Sequence, residues 1–274
     1  KWKVAKVGIL GAGMMGAGIA YAAACKGIAV VLKDVSLENA EKGKAYSQKL
    51  LDRQVAQGRM SAEQRSRILS LITAAASAAD LQGCGLIIEA VFENPQLKAE
   101  VTREAEAYLA GGGLMASNTS TLPISELAKA SKDAQNFIGL HFFSPAHIMK
   151  LLEIVRGAKT SPAVLEAALA LGQRIGKVSV VAGNCDGFIG NRMLHTYVFE
   201  ARSLLLEGAY PHQVDAALQG FGFAMGPFRM YDVVGIDLEW RARELAGQGQ
   251  DVAQVQVDNR LCELGRFGQK SGKG

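Results

Sequence analysis

The chain has 274 residues, nearly half of them apolar, and a formal net charge of only +4 at pH 7. This length allows one large domain or two ordinary ones, and the composition indicates a folded globular protein. The charge is slight and spread along the chain, so neither nucleic acid nor a membrane surface is an expected partner. No apolar run approaches the ~20 residues that a membrane-spanning helix needs.

The cysteines and histidines suggest no metal site. The four cysteines are scattered and form no CxxC pair: Cys25, Cys84, Cys185 and Cys262. This pattern favours reduced thiols in a cytosol over a disulfide framework or a zinc site. His147 is accompanied by no carboxylate-rich helix and no second ligand pair, so no bound metal is expected. The start at Lys1 and the abrupt end at "GRFGQKSGKG" favour a piece of a longer protein.

The beginning of the chain predicts a strand, a helix, a second strand and a long second helix. The apolar run "KVAKVGIL" ends at the glycine-rich "GAGMMGAG", and the small-residue helix "AGIAYAAACK" that follows stops at Gly27. "AVVLKD" has the composition of a buried strand, and the segment 37–57 indicates a helix closed by Gly58. Ser61 and Gln64 have the spacing of a capping box, which predicts the start of another helix.

The same alternation continues to about residue 184. Further strands are predicted at "GLIIEAV", "GGLMASNTS", "NFIGLHFF", "KLLEIV" and "KVSVVAG". The pairs Asn94-Pro95 and Ser161-Pro162 each supply an N-cap and a first helical residue, so a helix is expected after each pair. Strands that alternate with helices predict an α/β fold of the Rossmann type, a mostly parallel sheet with helices on both faces.

After residue 184 the pattern becomes helical. From Gly187 to Glu207 the apolar residues recur at helical spacing, as Leu194, Val198 and Leu205 illustrate. Two or three further helices are expected after it, and no run predicts a strand convincingly. We therefore predict an α/β domain over residues 1–184 and a smaller all-helical domain over residues 185–274.

"GAGMMG" fits the dinucleotide-binding pattern G-x-G-x-x-G and lies between a predicted strand and a predicted helix. Gly11 permits the tight turn, Gly13 lets the backbone approach a pyrophosphate, and Gly16 lets the helix pack on the strand. The phosphates would rest on amide groups at the helix start, beside Met14 and Met15. The alternative is a glycine-rich turn that binds something else.

Asp34 closes the second strand, about 20 residues beyond the glycines, where an acid is expected to bind the adenine ribose. A carboxylate there repels a 2′-phosphate, and no arginine follows in "KDVSLEN". The predicted cofactor is therefore NAD rather than NADP.

Polar residues at the carboxyl ends of the strands are the candidates for chemistry, because the cofactor of such a fold lies there. These candidates are Glu93, Lys98, Asn118, Ser120 and His141, with Asn191 at the start of the long helix. His141 is the natural base for an alcohol proton, and a carboxylate on its other ring nitrogen would orient it. Glu153, on the next strand, could supply that carboxylate. Alternatively, His141 is a structural residue at a strand end, and Glu153, flanked by Leu152 and Ile154, faces solvent.

Together these segments resemble the L-3-hydroxyacyl-CoA dehydrogenase family over essentially the whole chain. The motifs are "GILGAGMMGAGIA", "IIEAVFENPQLK", "ASNTSTLPISELA", "GLHFFSPAHIMKLLEIV", "GNCDGFIGNRM" and "FGFAMGPFRMYDVVGID". The resemblance is closest to the dehydrogenase segment of multifunctional fatty acid β-oxidation enzymes. It implies that residues 1–184 bind NAD and that residues 185–274 are a truncated form of the family's C-terminal domain.

The resemblance also implies roles for individual residues. His141 would be the catalytic base and Glu153 its partner, while Ser120 and Asn191 would hold the reacting end of an acyl-CoA thioester. Glu93 and Lys98 would lie near the nicotinamide ribose and the pantetheine end, and Asn118 would also contact the cofactor. Many family members have asparagine where this chain has Ser144, so a substrate contact at this position is in question.

The implied reaction is the oxidation of L-3-hydroxyacyl-CoA to 3-ketoacyl-CoA by NAD. Two alternatives are a dehydrogenase of free β-hydroxy acids and a non-catalytic NAD-binding relative. The expected partners are a second copy, joined through the helical domain, or the remaining domains of a longer chain. The expected location is the cytoplasm or, in a eukaryote, the peroxisome.

Overall fold

The structure, a computed structural model, describes residues 4–247 and 252–274. It divides into two compact units, one ending at Ile189 and the other beginning at Gly190. The first unit contains every strand of the described sheet, and the second is helical.

The first unit is built on an eight-stranded sheet in the order β3-β2-β1-β4-β5-β6-β7-β8. Its strands are β1 (Lys6–Leu10), β2 (Ala29–Lys33), β3 (Ile72–Ala75), β4 (Cys84–Glu89), β5 (Leu109–Ser117), β6 (Phe137–Phe142), β7 (Leu151–Val155) and β8 (Val178–Ala182). Its α-helices are α1 (Met14–Ala24), α2 (Leu37–Ala56), α3 (Ala62–Ser70), α4 (Pro95–Glu106), α5 (Ile124–Leu127) and α6 (Pro162–Arg174). Short 3₁₀ helices cover Ala78–Leu81, Ala128–Ala130 and Ala134–Asn136.

Neighbouring strands of this sheet are parallel except for β6 and β7, which pair antiparallel. The expected Rossmann-type, mostly parallel sheet is thus confirmed. The segment 143–150 between β6 and β7 is too short for a crossover helix, so the chain turns back directly. The strand order reverses between β1 and β4, which is where dinucleotides bind in such sheets.

The core lies on both faces of the sheet because successive strand residues point to opposite sides. Leu86 and Ile88 of β4 belong to one buried cluster, which includes Ile19 of α1. Ile87 lies in the other cluster, together with Ala105 of α4. Both faces of the central strands are therefore apolar, which explains their uninterrupted hydrophobic runs.

Three of the predicted helix starts are confirmed by their caps. Ser61 and Gln64 form the expected capping box at α3. Asn94 Oδ1 accepts the amide of Leu97 at 2.9 Å, and Ser161 caps α6 in the same way. Each of these side chains satisfies an amide that the first turn of a helix leaves without a partner.

Besides the short 3₁₀ helices, one strand and one α-helix of the first unit were not predicted. β3 consists of "ITAA", and alanine is depleted in strands, so its composition gives little signal. α5 is a single turn after Pro123. Both are held by neighbours: β3 pairs with β2, and Ile124 and Leu127 of α5 are buried.

The second unit contains α7 (Gly190–Leu206), α8 (Pro211–Phe221), α9 (Pro227–Val234), α10 (Asp237–Ala246) and α11 (Gln256–Glu263). Within the described residues four α-helices thus follow α7, more than the two or three expected. α7 begins three residues later than predicted, because Gly187 and Phe188 have positive φ values of 65° and 50°. A left-handed backbone cannot belong to a right-handed helix.

Candidate active site

The glycine-rich loop has the geometry that a pyrophosphate site requires. Gly11 has a φ of 92°, and a Cβ there would lie 2.7 Å from the carbonyl oxygen of Ala90. A Cβ on Gly16 would lie only 1.8 Å from the carbonyl oxygen of Gly11. At Gly13, the N-cap of α1, a Cβ would have no atom within 4 Å, so open space faces the loop there. The loop therefore fits a phosphate at the start of α1.

Both methionines of the motif lie at this helix start. Met14 is exposed, whereas Met15 packs against the buried cluster around Ile19. The Ser144 hydroxyl lies 3.8 Å from Met14 Sδ, to which it donates. Ser144 is thus beside the glycine-rich loop. This is the position at which many family members are expected to have asparagine.

Asp34 follows β2 and is joined to the same loop. Its Oδ2 accepts the amide of Ala12 at 2.6 Å, and its Oδ1 accepts the amides of Val35 at 2.7 Å and of Asn39 Nδ2 at 3.3 Å. A carboxylate offers about four acceptor positions, so it can still receive ribose hydroxyls. These residues fit an adenosine with a free 2′-hydroxyl, as in NAD.

His141 and Glu153 are opposite each other in the antiparallel pair of β6 and β7. His141 Nδ1 lies 2.7 Å from Glu153 Oε2, and the residues are 5% and 1% exposed. The expected contact is confirmed. His141 Nε2 makes no hydrogen bond within the described part of the chain, so this nitrogen can serve another group.

The surroundings of the pair keep both side chains in place. The His141 ring lies 4.4 Å from the Phe143 ring and 5.7 Å from the Phe188 ring, measured between centroids. Glu153 Oε1 accepts the amide of Ile189 at 3.1 Å. The positive φ of Phe188 brings that amide and its own buried ring toward β7. The two rings and the amide together restrict the orientation of the pair.

The loop Asn118–Thr121 follows β5 and is fastened to its neighbours. Asn118 Oδ1 accepts the amide of Phe142, the residue after His141, at 2.9 Å. Glu93 Oε1 accepts the Thr119 hydroxyl at 2.6 Å, the Ser120 amide at 2.9 Å and the Thr121 hydroxyl at 3.1 Å. Ser120 is therefore held by its backbone beside the end of β6.

Lys98 is paired as well as buried. It is 2% exposed, and its ammonium lies 3.0 Å from Glu93 Oε2 and 2.9 Å from Glu89 Oε2. Burial raises the pKa of Glu93, but the charge of Lys98 and hydrogen bonds from Thr119, Lys98 and Ser120 outweigh it and hold this pKa below its usual value.

Sequence reasoning missed Glu89, which is fully buried at the end of β4 and also accepts the Ser117 hydroxyl. The available signal was weak: a glutamate at the end of an apolar strand, nine residues before a lysine.

Asn191 lies in the first turn of α7, in the second unit.

His147 contacts tyrosines rather than acids. Its Nδ1 is 3.3 Å from the Tyr46 hydroxyl, and its ring meets that of Tyr21 edge-on. Among the described residues no group of three or more His, Cys, Asp or Glu side chains could hold a metal ion. No helix in this part of the chain is long and apolar enough to cross a membrane.

The class of protein follows from three features: the glycine-rich strand-to-helix loop, the acid Asp34 after β2, and the paired His141 and Glu153. They are the features of an NAD-binding protein of the Rossmann class. The NAD-binding domain of 3-hydroxyacyl-CoA dehydrogenase matches residues 6–185, and the C-terminal domain of the same family matches residues 187–274. The chain belongs to the 3-hydroxyacyl-CoA dehydrogenase family, and its cofactor is NAD.

Individual relatives agree with this family. The chain is 41% identical to the peroxisomal bifunctional enzyme of Danio rerio, over 99% of the chain and 39% of that protein. It thus spans about two fifths of the length of this curated relative. A (S)-3-hydroxybutyryl-CoA dehydrogenase from Ralstonia eutropha has a TM-score of 0.90 at 33% identity, covering 99% of this chain and 98% of that one. The dehydrogenase part of a multifunctional enzyme from C. elegans has a TM-score of 0.71 at 27% identity, covering 100% and 62%.

Proposed function

We propose that this chain oxidises L-3-hydroxyacyl-CoA to 3-ketoacyl-CoA in fatty acid β-oxidation, with NAD as the hydride acceptor. The observation that carries the proposal is the 2.7 Å contact between His141 Nδ1 and Glu153 Oε2. The similarity to a peroxisomal bifunctional enzyme and to a (S)-3-hydroxybutyryl-CoA dehydrogenase supports the choice of a CoA thioester as substrate.

His141 acts as the general base in this proposal. The Glu153 carboxylate accepts a hydrogen bond from Nδ1–H, which leaves the lone pair of Nε2 available for the substrate's 3-hydroxyl proton. As the imidazole becomes positive, the buried carboxylate stabilises it. NAD, when bound, supplies the C4 position that takes the hydride from C3 of the substrate. The products are the 3-ketoacyl thioester, NADH and one proton.

Ser120 and Asn191 bind the reacting end of the substrate, Ser120 by donating its hydroxyl to the 3-oxygen. Fixing that oxygen beside His141 turns a bimolecular proton transfer into an intramolecular one. Support comes from the loop contacts: Asn118 joins the Ser120 loop to Phe142, adjacent to His141 in β6. Asn118, Met14, Met15, Glu93 and Lys98 are proposed to lie on the cofactor side.

One assay separates this proposal from its alternatives. Purified protein is mixed with NAD and L-3-hydroxybutyryl-CoA, and NADH absorbance is followed; the D-enantiomer and free L-3-hydroxybutyrate are the controls. Turnover of the L-thioester alone is expected. Turnover of only the free acid would indicate a β-hydroxy acid dehydrogenase. NAD binding in calorimetry without turnover of any substrate would indicate a non-catalytic relative.

We further propose that this chain works as the dehydrogenase part of a multifunctional protein, since it matches 39% of a bifunctional relative. A homodimer formed through the second unit is the alternative, and exposed apolar residues of that unit such as Leu206 and Phe221 support an association. Light scattering of the isolated chain should detect a self-associating species, and a monomer at high concentration would contradict the dimer.

The peroxisomal relative favours a peroxisomal rather than a cytoplasmic location, which imaging of a fluorescent fusion would test.

A further inference from the structure

Buried polar contacts connect the end of β4 to the loop that carries Ser120. Glu89, which is fully buried, receives the Lys98 ammonium on both oxygens, at 3.0 Å and 2.9 Å. It also accepts the Ser117 hydroxyl and, at 3.3 Å, the amide of Val91. These contacts surround a single carboxylate, which leaves it little freedom to move.

Lys98 connects Glu89 to Glu93. Its ammonium has one further oxygen partner in Glu93 Oε2, at 3.0 Å, and another in the Val91 carbonyl oxygen, at 3.2 Å. Only 2% of Lys98 is exposed, so an ammonium without these partners would be buried and uncompensated. The Glu89 carboxylate therefore holds the Lys98 ammonium in position, and this ammonium holds the Glu93 carboxylate.

Glu93 in turn holds the backbone of the loop. Its Oε1 accepts the Ser120 amide at 2.9 Å and the Thr121 amide at 3.3 Å, besides the Thr119 hydroxyl. The side chain of Glu93 is 35% exposed, so it owes its fixed orientation to these partners rather than to burial. A displacement of Glu93 would release two consecutive amides and shift Ser120 with them.

We propose that Glu89 is a positioning residue for the dehydrogenation: it fixes Lys98, Lys98 fixes Glu93, and Glu93 sets the position of Ser120. This proposal rests on the proposed function, in which Ser120 binds the substrate's 3-oxygen. Glu89 is fully buried, and in this proposal it acts only through these partners. Its role is to keep the Ser120 hydroxyl within the narrow range of positions that a reacting oxygen requires.

A double-mutant cycle tests the connection between Glu89 and Ser120. Glu89→Gln retains the shape of the side chain but removes the charge that fixes Lys98. It should lower kcat at least about tenfold when Ser120 is present, and at most about twofold in a Ser120→Ala background. The KM for NAD is expected to rise as well, because the displaced Lys98 and Glu93 are proposed to lie on the cofactor side. Equal losses of kcat in both backgrounds would overturn the proposal.

Two further variants keep the test decisive if Glu89→Gln folds poorly. Glu89→Asp keeps the charge of the carboxylate but shortens its side chain, and its smaller loss of kcat should likewise disappear in the Ser120→Ala background. Glu106→Gln is the matched control, because the Glu106 carboxylate also holds a loop, through Ser131 and the amide of Lys132. The change in kcat that Glu106→Gln causes should be the same in the wild-type and Ser120→Ala backgrounds.

Amide hydrogen exchange gives a readout that needs no turnover. In Glu89→Gln the amides of Ser120 and Thr121 should exchange at least about tenfold faster, while those of the Glu106 loop keep the wild-type rate. Wild-type exchange at Ser120 in a folded variant would overturn the positioning role. If the wild-type protein does not oxidise the thioester, the proposed function fails by itself, and exchange still decides whether Glu89 positions the loop.

Discussion

His141 and Glu153 occupy paired positions in the antiparallel strands β6 and β7, with Nδ1 and Oε2 2.7 Å apart. Of all neighbouring strand pairs in the described sheet, only this one runs antiparallel. The short turn 143–150 brings the carboxyl end of β6 beside the amino end of β7. A histidine at the cofactor end of the sheet thereby acquires a carboxylate from a strand that runs the other way.

The first prediction concerns this pair. His141→Gln removes the base, and Glu153→Gln removes the charge that stabilises the imidazolium while keeping a hydrogen-bonding side chain. Each should lower kcat by roughly 10²–10⁴-fold, the usual contribution of general acid–base catalysis. The affinity for NAD, measured by calorimetry, should stay near the wild-type value. Near-normal turnover in both variants would exclude the assigned roles.

The second prediction separates two glycines of one motif. Gly16→Ala places a methyl group 1.8 Å from the Gly11 carbonyl oxygen, so the loop must move, which costs about 1–3 kcal/mol of unfolding free energy. Gly13→Ala meets no atom within 4 Å and should fold normally, yet its methyl group faces the phosphate site and should weaken NAD binding. Urea unfolding and calorimetry measure the two effects. A Gly13→Ala protein that binds NAD as tightly as wild type would place the phosphates elsewhere.

The third prediction is the choice between NAD and NADP. Asp34→Asn keeps an acceptor for the Ala12 amide but removes the negative charge. Because hydrogen bonds to a charged group contribute about 1.5–3 kcal/mol, NAD affinity should fall at least about tenfold. The affinity for NADP should fall less or rise, since its 2′-phosphate is no longer repelled. Binding of both cofactors by calorimetry gives the ratio, and an unchanged ratio would contradict the role of Asp34.

The contrast between His141–Glu153 and Glu89–Lys98 indicates what the sequence could predict. His141 interrupts the apolar run "NFIGLHFF" and Glu153 interrupts "KLLEIV", so both residues differ from the residues around them. The glycine motif and the helix caps were predictable for a similar reason, because each depends on local backbone geometry.

Contacts between distant residues were not predictable in this way. Whether Glu89 faces the interior depends on β5, which supplies Ser117, and on α4, which supplies Lys98. β3 was missed because its alanine-rich residues form a strand only when β2 offers its edge. Such features are set by tertiary packing, which overrides weak local preferences.

The fourth prediction follows from the lowered pKa of Glu93. A carboxylate whose pKa is lower in the folded state stabilises the protein above its unfolded pKa, and this contribution is lost as the pH falls through the folded pKa. Glu93→Gln should therefore flatten the decline in unfolding free energy below the ordinary glutamate pKa of 4.5. Urea unfolding from neutral to acid pH measures the slope. Glu126→Gln, on an exposed side chain, is the control, and an equal slope in both variants would contradict the assignment.

The fifth prediction concerns the stability of the helical unit. Arg202 is 9% exposed, pairs with Glu239 Oε2 at 3.0 Å and with Asp258, and lies over the Tyr231 ring at 5.0 Å. Burial raises the pKa of Asp258 and the charge of Arg202 opposes this rise, so the arginine favours the ionised carboxylate. Arg202→Met leaves two neighbouring carboxylates without it and should cost about 3–5 kcal/mol of unfolding free energy.

The matched control for Arg202 is Arg260, whose guanidinium pairs with Glu263 at 2.9 Å on the exposed face of α11. Arg260→Met should change the unfolding free energy by less than about 1 kcal/mol, because exposed ion pairs contribute little. Urea unfolding followed by tryptophan fluorescence can report on this unit, since Trp240 lies in α10. Equal losses in the two variants would mean that burial of Arg202 adds nothing to its ion pairs.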